Sequence, residues 1–310
     1  MATPFRFAVQ TSSAPSAQAW RERARQVEAL GYSTLYIPDH FGDQLSPLVA
    51  LAVAAEATST LNVGSLVFDN DYRHPVVLAR EVATLDLMSE GRVEFGIGAG
   101  WMKSDYDESG LAYDRPGVRI DRMVEGIEIM RQMWRDGTAT FAGEHYRVTG
   151  AQGLPRCHRG GGPKLVIGGG GRRVLSIAAR EADIVGVNPN LSAGYVGPEV
   201  AKSSTAPYYR ERIGWIREAA GDRFDDLELQ CLTFMVAVTD DRQAMFDNMA
   251  PMFGITPAEA AEVPLALAGT VDQIVETLRE RREEYGFSYV VVHEPEMEAF
   301  APVVERLAGT

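Results

Sequence analysis

Short apolar runs rich in branched residues alternate along this chain with stretches whose apolar positions recur every three or four residues. The first run, Phe5 to Gln10, leads into a helical stretch over 16–30. There Ala17, Trp20, Ala24, Val27 and Leu30 share a face and Gly31 marks the stop. A second run over 34–39 precedes a helix with Ser46 as N-cap, Pro47 at its first position and Leu48, Leu51, Ala52 and Ala55 turned inward. A third run spans 61–68, and Pro75 then opens a helix carrying Leu78, Val82 and Leu85 on one face. After a fourth run over 92–98 and a polar loop, a long helix covers 118–134, with Gly137 as its stop. The alternation over 138–155, with Ala142-Gly143 at its centre, reads as a small hairpin. A fifth run over 164–169 and a sixth over 182–187 enclose another helix. Residues 188–207 are rich in Gly, Pro, Ser and Asn and read as a long loop, followed by a helix to Ala220. A seventh strand lies within 227–238, helical patterns cover 241–250 and 271–284, and an eighth strand spans 289–294 before a last helix bearing Phe300, Val303, Val304 and Leu307.

Eight strands with helices between them predict the α/β class, as a (β/α)8 TIM barrel with a small inserted hairpin and loop segments, in a single domain over 1–310. An open doubly wound sheet is the alternative. Composition supports a sizeable core, since 45% of residues are apolar and only 24% charged. The net charge of −13 argues against general binding to nucleic acid or to anionic membranes. Cys157 and Cys231 give no disulfide framework and no metal-type spacing. No run of ~18 apolar residues is present, and the start lacks the pattern of a signal peptide. The expectation is a cytoplasmic protein without a membrane span.

In a barrel the chemistry sits at the carboxyl ends of the strands. The second strand ends in Pro38-Asp39-His40-Phe41, where His40 suits proton transfer near neutral pH and Asp39 would orient or charge it. A plain Pro-Asp turn is the alternative. The third strand runs into a polar cluster, Asp69 to His74, of which Arg73 and His74 read better as solvated loop and helix cap. The fourth ends Gly96-Ile97-Gly98-Ala99-Gly100-Trp101. Glycines at such spacing mark close approach of a ligand or of another backbone. The fifth ends in Gly168, Gly169, Gly170 and Gly171, followed by Arg172 and Arg173. This is no dinucleotide fingerprint, because Arg173 holds the place of the last glycine and four strands precede the motif. Two arginines at a helix start oppose the helix dipole, and a bound phosphate reverses that sign; a Gly-rich loop with solvated arginines is the alternative. The five histidines form no H-x-H or H-E-x-x-H pattern, so no metal is expected, and no G-x-S-x-G is present.

Taken together, "LGYSTLYIPDHF" (30–41), the run from His74 to Gly100, Arg119, Arg122 and Glu125, and "IGGGGRRVLSIAAREADIV" (167–185) resemble the bacterial luciferase-like superfamily of flavin- and deazaflavin-dependent oxidoreductases. The resemblance covers nearly the whole chain. It implies a cofactor ring over the strand ends, with a phosphate at Gly168–Arg172 and around Gly98, Ala99 and Gly100. It also implies a non-prolyl cis peptide behind the ring, mapping to Leu66–Val67, with Asp69 close by among the cofactor residues. His40 matches the histidine that lies near the redox centre in the deazaflavin branch. The chain resembles the F420-dependent actinobacterial group more than the alkane or sulfonate monooxygenases, so F420 is the implied cofactor and FMN the alternative. One departure is Trp101, where members acting on sugar phosphates carry an acid. The resemblance implies hydride transfer between F420 and a small organic substrate such as a carbonyl, imine or activated alkene. His40 would assist proton transfer and Asp39 would support it. An FMNH2-dependent monooxygenase and a non-catalytic flavin- or F420-binding protein are the other readings. A homodimer is implied by the resemblance alone.

Overall fold

The computed structural model describes residues 3–310. Eight strand positions follow the expected order: β1 (Arg6–Gln10), β2 (Thr34–Ile37), β3 (Asn62–Ser65), β4 (Val93–Gly98), β5 (Lys164–Gly169), β6 (Ile184–Val187), β7 (Glu228–Leu232) and β8 (Phe287–His293). In space they run β3-β2-β1-β8-β7-β6-β5-β4, and β3 pairs with β4 as well, so the order closes into a parallel barrel. Strands covered by helices need apolar residues on both faces, and β2, β4 and β6 are buried along their whole length. The helices are α1 (Ala17–Ala29), α2 (Pro47–Ala57), α3 (Pro75–Met88), α4 (Pro116–Arg131), α5 (Arg172–Glu181), α6 (Ala206–Ala220), α7 (Val271–Tyr285) and α8 (Met297–Leu307).

The local signals act much as their chemistry predicts. Pro47 and Pro75 open α2 and α3, and His74 caps α3 by accepting from the Val76 amide at 3.3 Å. Ser46 holds the N-cap position of α2 without a side-chain hydrogen bond. Gly137, at φ 80°, ends the long helical stretch in the left-handed region. The hairpin pairs Thr138–Ala142 with Arg147–Gln152 in antiparallel fashion.

Four elements depart from the sequence reading. The third strand is broken: β3 stops at Ser65, the Leu66–Val67 peptide bond is cis, and Phe68–Asp69 resumes the pairing with β4. The polar loop after β4 holds a short helix, Lys103–Ser109, whose only buried side chains are Asp105 and Tyr106. The apolar run 227–238 is two strands. Beyond β7, Met235–Val238 pairs in parallel with Ala266–Gly269 in a separate small sheet. The loop 188–207 contains the helical turn Pro198–Lys202.

By contacts the chain divides into two compact sets of segments. One comprises residues up to 11, 26–35 and 167–310. In it Arg6 to Gln10 of β1 pair in register with Tyr289 to His293 of β8. The Phe7 ring lies between Phe5 and Phe300, at 6.1 and 5.9 Å between centroids. The other comprises 12–25 and 36–166. There Phe95 of β4 packs on Phe68 and on Trp134, whose indole N–H donates to the Ala79 carbonyl at 2.9 Å. Each such fully buried aromatic stabilises its set by about 1.5–3 kcal/mol. Among the described residues no helix is long and apolar enough to cross a membrane.

Candidate functional site

At the end of β4 the alternating glycines are a packing device. A Cβ on Gly96 would collide with the Ser65 carbonyl, and one on Gly98 would lie 2.8 Å from a Val67 methyl. The close approach predicted there is therefore made by the broken third strand, with Leu66–Val67 cis as the resemblance implies. Gly100, at φ 71°, has the hydroxyl of Tyr106 and the carboxyl of Asp69 where a side chain would go. Arg119, 2% exposed, holds the turn that follows. Its Nε donates to the Ala99 carbonyl at 3.1 Å and its Nη2 to Gly100 at 3.3 Å, and its guanidinium lies 4.2 Å over the Tyr113 ring.

His40, just past β2, does not pair with its neighbour Asp39. Its Nδ1 lies 2.6 Å from Oδ2 of Asp105, a buried carboxylate on the short helix Lys103–Ser109. The same oxygen accepts from the Tyr72 hydroxyl at 3.0 Å, and Oδ1 accepts from the Phe41 amide at 3.5 Å. The Trp101 ring meets the imidazole edge to face, 5.7 Å between centroids. The partner of His40 thus comes from a segment read as polar loop. The available signal is Asp105, two residues from both Lys103 and Asp107, which sit four apart on the exposed face.

Asp39 is fixed by another partner. It accepts both arms of the Arg73 guanidinium, at 2.6 and 3.1 Å, and the Asp69 amide at 3.1 Å. A buried carboxylate needs such a cation, so Arg73, read from sequence as solvated, is structural here, and the support of His40 passes from Asp39 to Asp105. Asp69 is buried. It accepts from the Asp71 amide at 2.9 Å and from the Tyr106 hydroxyl at 3.2 Å. Burial, and after it the neighbouring Asp71 and Asp39, raise its pKa to about 7 against the opposing hydrogen bonds. Asp71 forms an ion pair with Arg122 at 2.8 Å, and Arg122 also reaches Asp114 at 2.8 Å.

The glycine run lies in the other set of segments. Gly168 and Gly169 end β5, and Gly171 is the N-cap of α5. A Cβ on Gly170 would strike the Pro189 carbonyl, whereas one on Gly171 meets nothing within 4 Å. α5 has neither a side-chain cap nor an acidic residue in its first turn, a setting that favours an anion at its positive end. Arg172 is exposed and donates to Glu218 at 2.9 Å, which already offsets one charge at the helix start. Sequence reasoning missed Arg212, which is 2% exposed. It donates to the Gly170 carbonyl and to the Ser203 carbonyl, both at 2.9 Å, and so pins the run from behind. No motif marks it; its buried setting beside Tyr208 and Tyr209 arises only in the fold. Among the described residues no three His, Cys, Asp or Glu side chains cluster as metal ligands.

The sequence profile of the family described as luciferase-like monooxygenase matches residues 1–286. An uncharacterized protein of Mycobacterium tuberculosis is 30% identical over 183 residues, covering 52% of this chain and 64% of that protein. The chain thus spans less than two thirds of that relative's length. An F420-dependent glucose-6-phosphate dehydrogenase of Kribbella flavida is 25% identical over 305 residues, covering 88% and 87% of the two chains. Among solved structures, the coenzyme F420-dependent tetrahydromethanopterin reductase of Methanopyrus kandleri shares the fold, with a TM-score of 0.78 over 99% of both chains at 19% identity.

Proposed function

The chain belongs to the luciferase-like monooxygenase family, and from that premise we propose that it is an F420-dependent oxidoreductase acting on a small organic substrate. The observation that carries this reading is the strand-end imidazole of His40 held by a buried carboxylate. The Kribbella flavida relative, F420-dependent by name, supports the choice of cofactor. F420, when bound, supplies hydride transfer at its deazaflavin ring. The chain supplies the rest. The first turn of α5, which carries no acidic residue, and Gly171 at its N-cap suit a phosphate, with Gly168, Gly169 and Gly170 shaping the approach and Arg172 adding charge. Leu66, Val67, Asp69, Gly98, Ala99 and Gly100 are the residues that would hold the ring. His40 exchanges a proton at Nε2, and no hydrogen bond reaches that atom among the described residues.

Trp101, edge to face with the His40 ring, presents an apolar side chain there and favours an uncharged substrate. A carbonyl, imine or activated alkene fits this requirement. The family name favours one second reading, an FMNH2-dependent monooxygenase. We assign the activity to a single domain over 1–310 working as a cytoplasmic homodimer, which sedimentation of the purified chain checks. Titrating the apoprotein with F420 and with FMN separates the two cofactors. Micromolar binding of F420 is the expected result, and binding of FMN alone overturns the reading.

A further inference from the structure

His40 has two ring nitrogens, and only one of them is committed. Nδ1 lies 2.6 Å from Asp105, while Nε2 has no hydrogen bond among the described residues. Which nitrogen carries the proton in the neutral ring decides whether Nε2 accepts or donates. That choice is made by the surroundings of Asp105. The side chain of Asp105 is 4% exposed, so it exchanges little hydrogen bonding with water. Its Oδ2 receives the Tyr72 hydroxyl at 3.0 Å and its Oδ1 the Phe41 amide at 3.5 Å. The Phe41 amide can only donate. Burial, and after it Asp69 and Asp105, raise the pKa of Tyr72 far above the ordinary phenol range, so its hydroxyl keeps the proton it donates. The Tyr72 ring is in turn held against Phe41, 4.7 Å between centroids. A carboxylate between two donors requires its third neighbour to donate as well.

We propose that Asp105 and Tyr72 are positioning residues that lock neutral His40 as the Nδ1–H tautomer, leaving Nε2 as the proton-accepting nitrogen. The inference deepens the reading of His40 as the proton-transfer group and rests on it for its catalytic meaning. The tautomer itself is a property of the chain alone. Trp101, edge to face with the imidazole at an interplanar angle of 89°, fixes the ring plane in which this hydrogen bond forms.

The test is long-range proton–nitrogen correlation on the chain labelled with ¹⁵N-histidine, without cofactor, at a pH raised until the His40 ring nitrogen shifts stop changing and the ring is neutral. The His40 signals are assigned among the five histidines by their loss in His40→Gln. Wild type is expected to show Nδ1 protonated and Nε2 bare. In Asp105→Leu no acceptor faces Nδ1, so the Nδ1–H form loses its support and the proton moves to Nε2. Asp105→Glu restores the Nδ1–H form. Tyr72→Phe retains that form but moves its proton resonance downfield, because the carboxylate has lost one donor; an unchanged resonance removes Tyr72 from the assignment. An Nε2–H majority in wild type overturns the proposal outright, and this result stands even if Asp105→Leu fails to fold. Once a substrate is in hand, Asp105→Leu should lower kcat by about 10²–10⁴-fold with little change in KM. Failure to bind F420 removes the proposed function and leaves the tautomer measurement standing, so the two failures are distinguishable.

Discussion

Asp69 is a carboxyl group with few reasons to ionise near neutrality, and replacing it tests whether burial or hydrogen bonding governs the polar cluster after β3. It is 6% exposed, with Asp71 and Asp39 close enough to raise its pKa further. The Asp71 amide and the Tyr106 hydroxyl work in the opposite direction but do not prevail, and the pKa stands at about 7 against an ordinary 3.8. A folded-state pKa above the unfolded one means that the protonated carboxyl favours the fold. That contribution is complete below about pH 3.8 and is lost as pH rises through about 7. At about 1.4 kcal/mol per pH unit the whole displacement is worth about 4 kcal/mol, of which about 3 kcal/mol falls between pH 5 and pH 8. Asp69→Asn removes the titration while its amide oxygen still accepts from Tyr106 and Asp71. Urea unfolding at pH 5 and pH 8 should therefore show the wild type losing about 3 kcal/mol more than the variant across that interval. Burial raises the pKa of Asp71 and of Asp86 as well, so some pH dependence of the same sign survives in the variant. Equal pH dependence in the two proteins would refute the reasoning and show that hydrogen bonds keep Asp69 ionised.

Two further perturbations follow from the same geometry. Arg73→Ala leaves the buried carboxylate of Asp39 without its cation and should lower stability by about 3–5 kcal/mol in urea unfolding, whereas Arg73→Met combined with Asp39→Leu should recover most of that loss. Gly171→Ala meets open space at an ordinary φ of −102°, so it should fold as wild type, and a weaker affinity for F420 there reads the approach of the ligand alone; Gly170→Ala meets the Pro189 carbonyl and should lower both Tm and affinity.

The barrel was legible because its signals are local and repeated. Apolar runs, proline at helix starts and glycine at stops each act within a few residues, and β1, β5 and α3 lie within a residue or so of where these signals place them. Candidates for the site were marked only at strand ends. His40 and the glycine run could be picked out as candidates by position, because a barrel concentrates function there. Their partners could not. Asp105 is separated from His40 by 65 residues, and Arg212 from Gly170 by 42. Neither distance leaves a trace in periodicity. Sequence proximity also misled in a specific way. Asp39 adjoins His40 in the chain and reads as its partner, but beyond the end of β2 each side chain finds a different partner. Asp39 accordingly turns to Arg73, and its place beside the imidazole falls to a residue on the short helix after β4. The polar segment 101–115, in which no core pattern is visible, therefore holds the group that decides what His40 can do. Its helix is too short to show a stripe, and its two buried positions, Asp105 and Tyr106, are polar because they complete a hydrogen-bonded cluster rather than a core. In this chain the buried pair Asp105 and Tyr106 stands inside an otherwise polar segment, and burial of such residues is stable only when partners elsewhere in the chain await them.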